Sequence, residues 1–217
     1  MFVPVILLGL LLICWPGAGW LQVRKAWITP EADPNAVYLV CGASAQDRRV
    51  AALANWLKLH AGSTNSTLPI VLIGNDPQKN RWCRQHQTNH TVTAWAIEKL
   101  DLALAELPVE YSPVVVPGEF STTDGEMQAL ASYLREHSQI ESVALVTSRY
   151  HARRCLERLQ AHISTEVEIG FIRGLHNWRN RSPLRVVSEY LKIWRDRIGL
   201  SDMPVISRTN KSDVVRD

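Results

Sequence analysis

The chain has 217 residues, 46% hydrophobic and 21% charged, a balance that excludes a disordered or low-complexity chain. Its net charge of +3 is too mild to argue for nucleic acid as a partner. Cys14, Cys41, Cys83 and Cys155 form no C-x-x-C and no metal-like pairing with histidine, so neither a disulfide framework nor a metal site is expected.

Phe2 to Leu21 contains no charged side chain and is long enough to cross a bilayer as a helix. A cleaved signal peptide normally opens with a basic region; here the first basic residues, Arg24 and Lys25, follow the apolar run. The flanks therefore favour an uncleaved transmembrane anchor over residues 1–22. Trp15, Trp20 and Trp27 stand where interfacial anchors would. Arg24 and Lys25, taken alone, would keep the following domain on the cytoplasmic side. Residues 23–35, with Pro30 and Pro34, read as a linker.

Ala36 to Cys41 is an apolar run ending at Gly42-Ala43-Ser44, the pattern of a buried strand and a turn. Asp47 to His60 has helical spacing, with Val50, Leu53, Ala54, Leu57 and Leu59 forming most of one face. Leu68 to Ile73 reads as a second strand, ending at Gly74-Asn75-Asp76-Pro77. Arg81 to Thr91 is polar. It holds His86 and His90 at an i, i+4 spacing that can bind metal, but no acidic or cysteine third ligand stands nearby in sequence.

Thr93 to Leu107 reads as a helix, Tyr111 to Val116 as a third strand ending at Glu119, and Thr123 to Glu136 as a helix with Met127, Leu130, Ala131 and Leu134 inside. Val143 to Val146 is a fourth strand. It feeds a helix reaching His162 through the turn Thr147-Ser148-Arg149-Tyr150-His151. Glu166 to Ile172 is a fifth strand and Pro183 to Ile198 a last helix; residues 201–217 read as a flexible tail. Strands alternating with helices predict an α/β fold over residues 36–200: a Rossmann-like, doubly wound, mostly parallel sheet of about five strands.

In such a sheet ligands sit outside the carboxyl ends of the strands. Four strand ends carry suggestive residues: Gly42 with Ser44; Gly74, Asn75 and Asp76; Glu119 with Ser121 and Thr122; and Thr147 and Ser148 with His151. Asp76 before Pro77 fits a turn better than catalysis. Glu119 and His151 are the candidate acid–base residues. Helix N-terminal N–H groups and Arg154 point to an anion-facing site. A run of eight arginines from Arg149 to Arg185 against three glutamates fits either an anionic ligand or a solubilising surface. There is no G-x-G-x-x-G, no phosphate-loop G-x-x-x-x-G-K-[ST] and no G-x-S-x-G nucleophile elbow, so a serine hydrolase is not expected.

These residues together resemble the SanA/ElyC/YdcF-like bacterial family, over roughly Val37 to Gly199. The ordered motifs are Val40 to Gly42 before Arg49-Val50-Ala51-Ala52; Ile73-Gly74-Asn75-Asp76; Glu119-Phe120-Ser121-Thr122-Thr123-Asp124; and the T-S-x-x-H-x-x-R pattern at Thr147 to Arg154. A terminal helix with an acidic start, Ser188-Glu189-Tyr190-Leu191, also fits. Gly125 stands about where the family has an asparagine, and Gln85 to Thr91 lacks the family's acidic helix start.

The resemblance implies a Rossmann-like domain tethered to the bacterial inner (plasma) membrane, commonly on the periplasmic face, and a part in cell-envelope integrity or peptidoglycan and surface-polymer assembly. It supplies no reaction and leaves the cofactor unknown. Three readings stand. The domain binds an anionic envelope precursor, with Arg154 and the helix N-terminus holding the phosphate, His151 hydrogen-bonding it and Glu119 on a sugar hydroxyl or cation; Arg49 is a further candidate ligand residue. Or it is an enzyme, a transferase or similar, using a nucleotide-type cofactor such as S-adenosylmethionine, with His151 or Glu119 as base. Or it is an interaction module for envelope-assembly proteins.

Overall fold

The computed structural model describes residues 34–41, 46–61, 68–78, 81–83, 87–105, 111–118, 120, 122–148, 151–163, 166–173 and 183–198. The strands are β1 (Ala36–Leu39), β2 (Ile70–Ile73), β3 (Arg81–Cys83), β4 (Thr88–His90), β5 (Val114–Val115), β6 (Ser142–Thr147) and β7 (Glu168–Arg173). The helices are α1 (Gln46–Ala61), α2 (Val92–Leu104), α3 (Thr123–Glu136), α4 (Ala152–His162) and α5 (Pro183–Arg197).

Five strands form one all-parallel sheet in the order β5-β2-β1-β6-β7. β1 lies at its centre, Leu39 facing Ile73 on one side and Val146 on the other. All four residues of β1 are buried, as expected of a parallel strand covered on both faces. Side-chain alternation then divides the core in two. Val37, Leu39, Val71, Ile73, Ala144 and Val146 pack with α1 and α2. Ala36, Tyr38, Val40, Leu72, Val143 and Leu145 pack with α3 and α4. This mixed α/β architecture is compatible with a Rossmann-like arrangement.

Local chemistry sets the helix starts. Thr91 caps α2 by accepting from the Ala94 N–H, and Thr122 caps α3 by accepting from the Gly125 N–H, each at 3.1 Å. Asn35 fixes the opposite edge of the sheet. Its Oδ1 accepts from the Glu141 and Ser142 N–H groups, its own N–H donates to Ser142 Oγ, and its carbonyl accepts from the Ile70 N–H. One residue thereby joins the starts of β1, β2 and β6.

The polar stretch from Arg81 to Thr91, to which the sequence assigned no element, contains an antiparallel hairpin, β3 with β4; Gln87, just before β4, has a φ of 48°. No apolar alternation announces the hairpin. No helix among the described residues is long and apolar enough to cross a membrane. The Phe2–Leu21 run, residues 22–33 and the 201–217 tail lie outside the described residues.

Candidate functional site

β1 and β6 are neighbours, yet the helices that follow them lie on opposite faces: α1 packs on one core and α4 on the other. In an open parallel sheet a reversal of winding of this kind places the ligand crevice at the carboxyl edge, here between β1 and β6. The N-termini of α1 and α4 both lie at that edge, each with the partial positive charge of a helix start. Gly42 and Ser44 belong to the connection after β1 and lie outside the described residues, as do Glu119 and Ser121.

On the β1 side, Glu126 reaches in from the first turns of α3. It is 2% exposed, and its Oε1 accepts from the Cys41 N–H at 2.6 Å and the Tyr38 hydroxyl at 3.2 Å. Burial raises its carboxyl to about 8, against the Cys41 hydrogen bond and the Arg49 charge, so it is mostly protonated at neutral pH. Arg49, equally buried, donates from Nη1 to the Val40 carbonyl at 2.8 Å and the Cys41 carbonyl at 3.3 Å. Two side chains from opposite helices therefore grip the last peptides of β1.

Gly74 closes this side. Its carbonyl accepts from Cys41 Sγ at 3.2 Å and from Thr93 Oγ1 at 2.7 Å. Cys41 is a free thiol, and burial pushes its pKa well up; it packs as a small apolar group. Asp76 serves the turn, its Oδ1 accepting from the Gln78 N–H at 3.0 Å. Asn75 beside it is half-buried, and Thr122 acts as the α3 cap.

On the β6 side, Thr147 is fully buried and Ser148 half-buried. The Ser148 carbonyl accepts from the His151 and Ala152 N–H groups, turning the chain into α4. His151 Nδ1 lies 3.3 Å from Glu189 Oε2 of α5. Burial lowers the His151 pKa to about 4, and the Arg49 and Arg154 charges add to that against the pull of Glu189; the ring is neutral. Burial alone would raise Glu189, but its bonds to His151 and Lys192 outweigh it, and the carboxylate stays ionised. Arg49 acts electrostatically on both Glu126 and His151, which ties the two sides of the crevice together.

The arginines of α4 have carboxylates already. Arg154 meets Asp196 at 3.0 Å and Glu189 at 3.6 Å. Arg158 meets Asp124 at 3.2 Å and Asp196 at 3.4 Å, and Arg153 meets Glu157 at 2.8 Å. The basic run is therefore, where described, the cationic side of an ion-pair network joining α3, α4 and α5. A cleft of about 180 Å³ between α4 and α5 is walled by Arg154, Arg158, Asp196 and Arg197, which pair among themselves and with their neighbours. His90 Nδ1 lies 3.2 Å from Glu98, a carboxylate that sequence proximity did not offer. Among the described residues no group of three His, Cys, Asp or Glu can hold a metal ion.

Sequence reasoning missed Glu126, Asp196 and the role of Glu189. Glu189 had one signal, the Ser188-Glu189-Tyr190-Leu191 segment read as an acidic helix start; the helix in fact begins at Pro183 with no acid in its first turn, and Glu189 stands in its middle. Glu126 had another, a carboxylate in the first turns of a helix beside its apolar stripe. Compared with family models, with curated proteins and with solved structures, the chain finds no match in any of the three.

Proposed function

We propose that this chain is a membrane-tethered, Rossmann-like α/β domain whose switch-point crevice binds an anionic, phosphate-bearing ligand, and that it serves bacterial envelope integrity or surface-polymer assembly. The observation that carries the reading is positional: the T-S-x-x-H-x-x-R segment starts at the carboxyl end of β6, beside the carboxyl end of β1. Helix N-termini converge there, and a neutral imidazole can donate or accept without adding charge. In the sequence a glycine, Gly42, follows β1, a residue type that lets backbone come close to a ligand. Arg154, compensated by Glu189 and Asp196, shares the Glu189 carboxylate with His151 and adds little net charge of its own.

The test is thermal unfolding of the full chain, in detergent micelles, with pyrophosphate, nucleotide-sugars and polyprenyl-phosphate headgroup mimics. A ligand at a hundred times its dissociation constant stabilises the fold by about 2.7 kcal/mol. We expect that gain with at least one phosphate-bearing compound, and its loss in His151→Gln. Indifference to every phosphate-bearing compound overturns the reading.

One observation favours a second reading. Glu189 holds His151 by Nδ1, which leaves Nε2 to move a proton, the arrangement of an oriented general base. An enzyme taking a nucleotide-type cofactor such as S-adenosylmethionine is then supported, and stabilisation by that compound with measurable turnover distinguishes it from a phosphate binder.

A further inference from the structure

The last helix leaves one side uncovered. Leu191, Trp194 and Ile198 are 65%, 62% and 60% exposed, and their spacing of three and four puts them in one stripe along α5. The opposite side, with Ile193 and Asp196, is buried. Helical periodicity sets Arg195 and Lys192 along one border of the stripe and Arg197 along the other. Over α5 the charges are Arg185, Lys192, Arg195 and Arg197 against Glu189 and Asp196, four minus two, or +2; Lys192, Arg195 and Arg197 pair with Glu189, Asp196 and Glu157, so they would meet lipid phosphates as partners shared with those carboxylates. The other large exposed apolar residues among those described, Leu59, Ile70, Leu102 and Val115, stand singly on four different elements, which is ordinary for a protein surface.

An apolar stripe with an indole and a cationic border matches the boundary of an anionic bilayer: the ring sits at headgroup level and the basic groups meet phosphates. The chain also carries the uncharged Phe2–Leu21 run, joined to β1 by a short linker. We infer that α5 lies along an anionic lipid surface, with Leu191, Trp194 and Ile198 in the acyl boundary and Lys192, Arg195 and Arg197 at the phosphates. The inference rests on the tether reading, which keeps the domain beside the bilayer. The ion pairs run in register, Glu189 with His151 and Arg197 with Glu157, so α5 runs in the same direction as α4. Docking therefore lays the α4–α5 side down and leaves the crevice opening along the membrane plane.

The experiment is hydrogen exchange of the full chain with phosphatidylcholine vesicles that contain or lack phosphatidylglycerol, together with alkaline extraction of the same samples. The α5 amides should exchange roughly tenfold slower with the anionic lipid. Leu191→Glu with Trp194→Glu should abolish that slowing and leave the thermal midpoint unchanged, since both side chains face outward. Equal exchange in both lipids, slowing that survives the double variant, or protection that follows protein concentration (a second copy covering the stripe) each overturns the docking. Extraction reads the N-terminal segment separately. A chain extracted at alkaline pH whose α5 is still slowed loses the anchor and keeps the docking; one that resists extraction with α5 unslowed keeps the anchor alone.

Discussion

At Gly74 the absence of one methyl group lets three elements meet. A Cβ built there would stand 2.5 Å from the Tyr38 hydroxyl, 2.6 Å from the Phe120 ring and 3.0 Å from Glu126 Oε1. Tyr38 is fully buried and Phe120 nearly so, so neither ring has space to withdraw without disturbing the core. Gly74→Ala should lower unfolding free energy by about 1–3 kcal/mol, the usual range for overpacking, in a denaturant titration. An unchanged midpoint would show that the ring of Phe120 swings aside freely. The same closeness explains what a glycine at a strand end offers here: room for a carboxyl group brought from α3, as well as for a ligand.

At the scale of elements, α5 is held largely by charge. Asp196 receives Arg154, Arg158 and Arg195, and its side chain is 5% exposed. Removing one member of a buried pair leaves its partners uncompensated, at a cost of about 3–5 kcal/mol. Asp196→Ala should therefore release α5 first: its amides should exchange freely while those of β1 and β6 remain protected. If α5 keeps its protection, Ile193 and the remaining apolar contacts hold the helix, and the ion pairs are incidental.

The elements themselves were largely legible in the sequence, because each long strand is a continuous apolar run and each helix has a 3.6-residue stripe. The β3–β4 hairpin was not, since its polar residues carry neither period. The site was half legible. His151 stands at a strand-to-helix turn, which local pattern can find. Glu126 and Glu189 are assigned to the site by partners 85 and 38 residues away, and no local pattern encodes such a meeting. Arg154 looked like a ligand group for the same reason: its charge is visible in the sequence, and its carboxylates are not.

Over the whole molecule, Glu126 and His151 shape stability against pH with opposite signs. Glu126 is raised from an ordinary 4.5 to about 8 by burial, so its contribution is fully present below 4.5 and lost as pH rises through 8. His151 is lowered from 6.5 to about 4 by burial, so its contribution is present above 6.5 and lost as pH falls through 4. Between 4.5 and 6.5 the folded protein holds its proton on Glu126 and the unfolded chain holds one on His151, and the two slopes cancel. Below that plateau the depressed Glu189 and Glu157 carboxyls add to the acid loss. Stability should fall from pH 6.5 to 8 by at most about 1.4 kcal/mol per unit. Glu126→Gln keeps an acceptor for Cys41 and Tyr38 but has no proton to lose, so its alkaline limb should be flat. An alkaline slope unchanged in that variant would remove Glu126 as its source.

The Asn35 node has a mechanical meaning. The chain enters the sheet at its central strand, and that strand is bonded along its length to β2 on one side and β6 on the other. A pull on the preceding segment, directed along the strand, loads both hydrogen-bond ladders in shear, so that they must fail together; an edge strand peeled sideways would open bond by bond. Asn35 adds side-chain bonds at the point where the load arrives and spreads it to the starts of β2 and β6. Force applied to the segment before this residue reaches the carboxyl edge of the sheet only after both ladders have yielded.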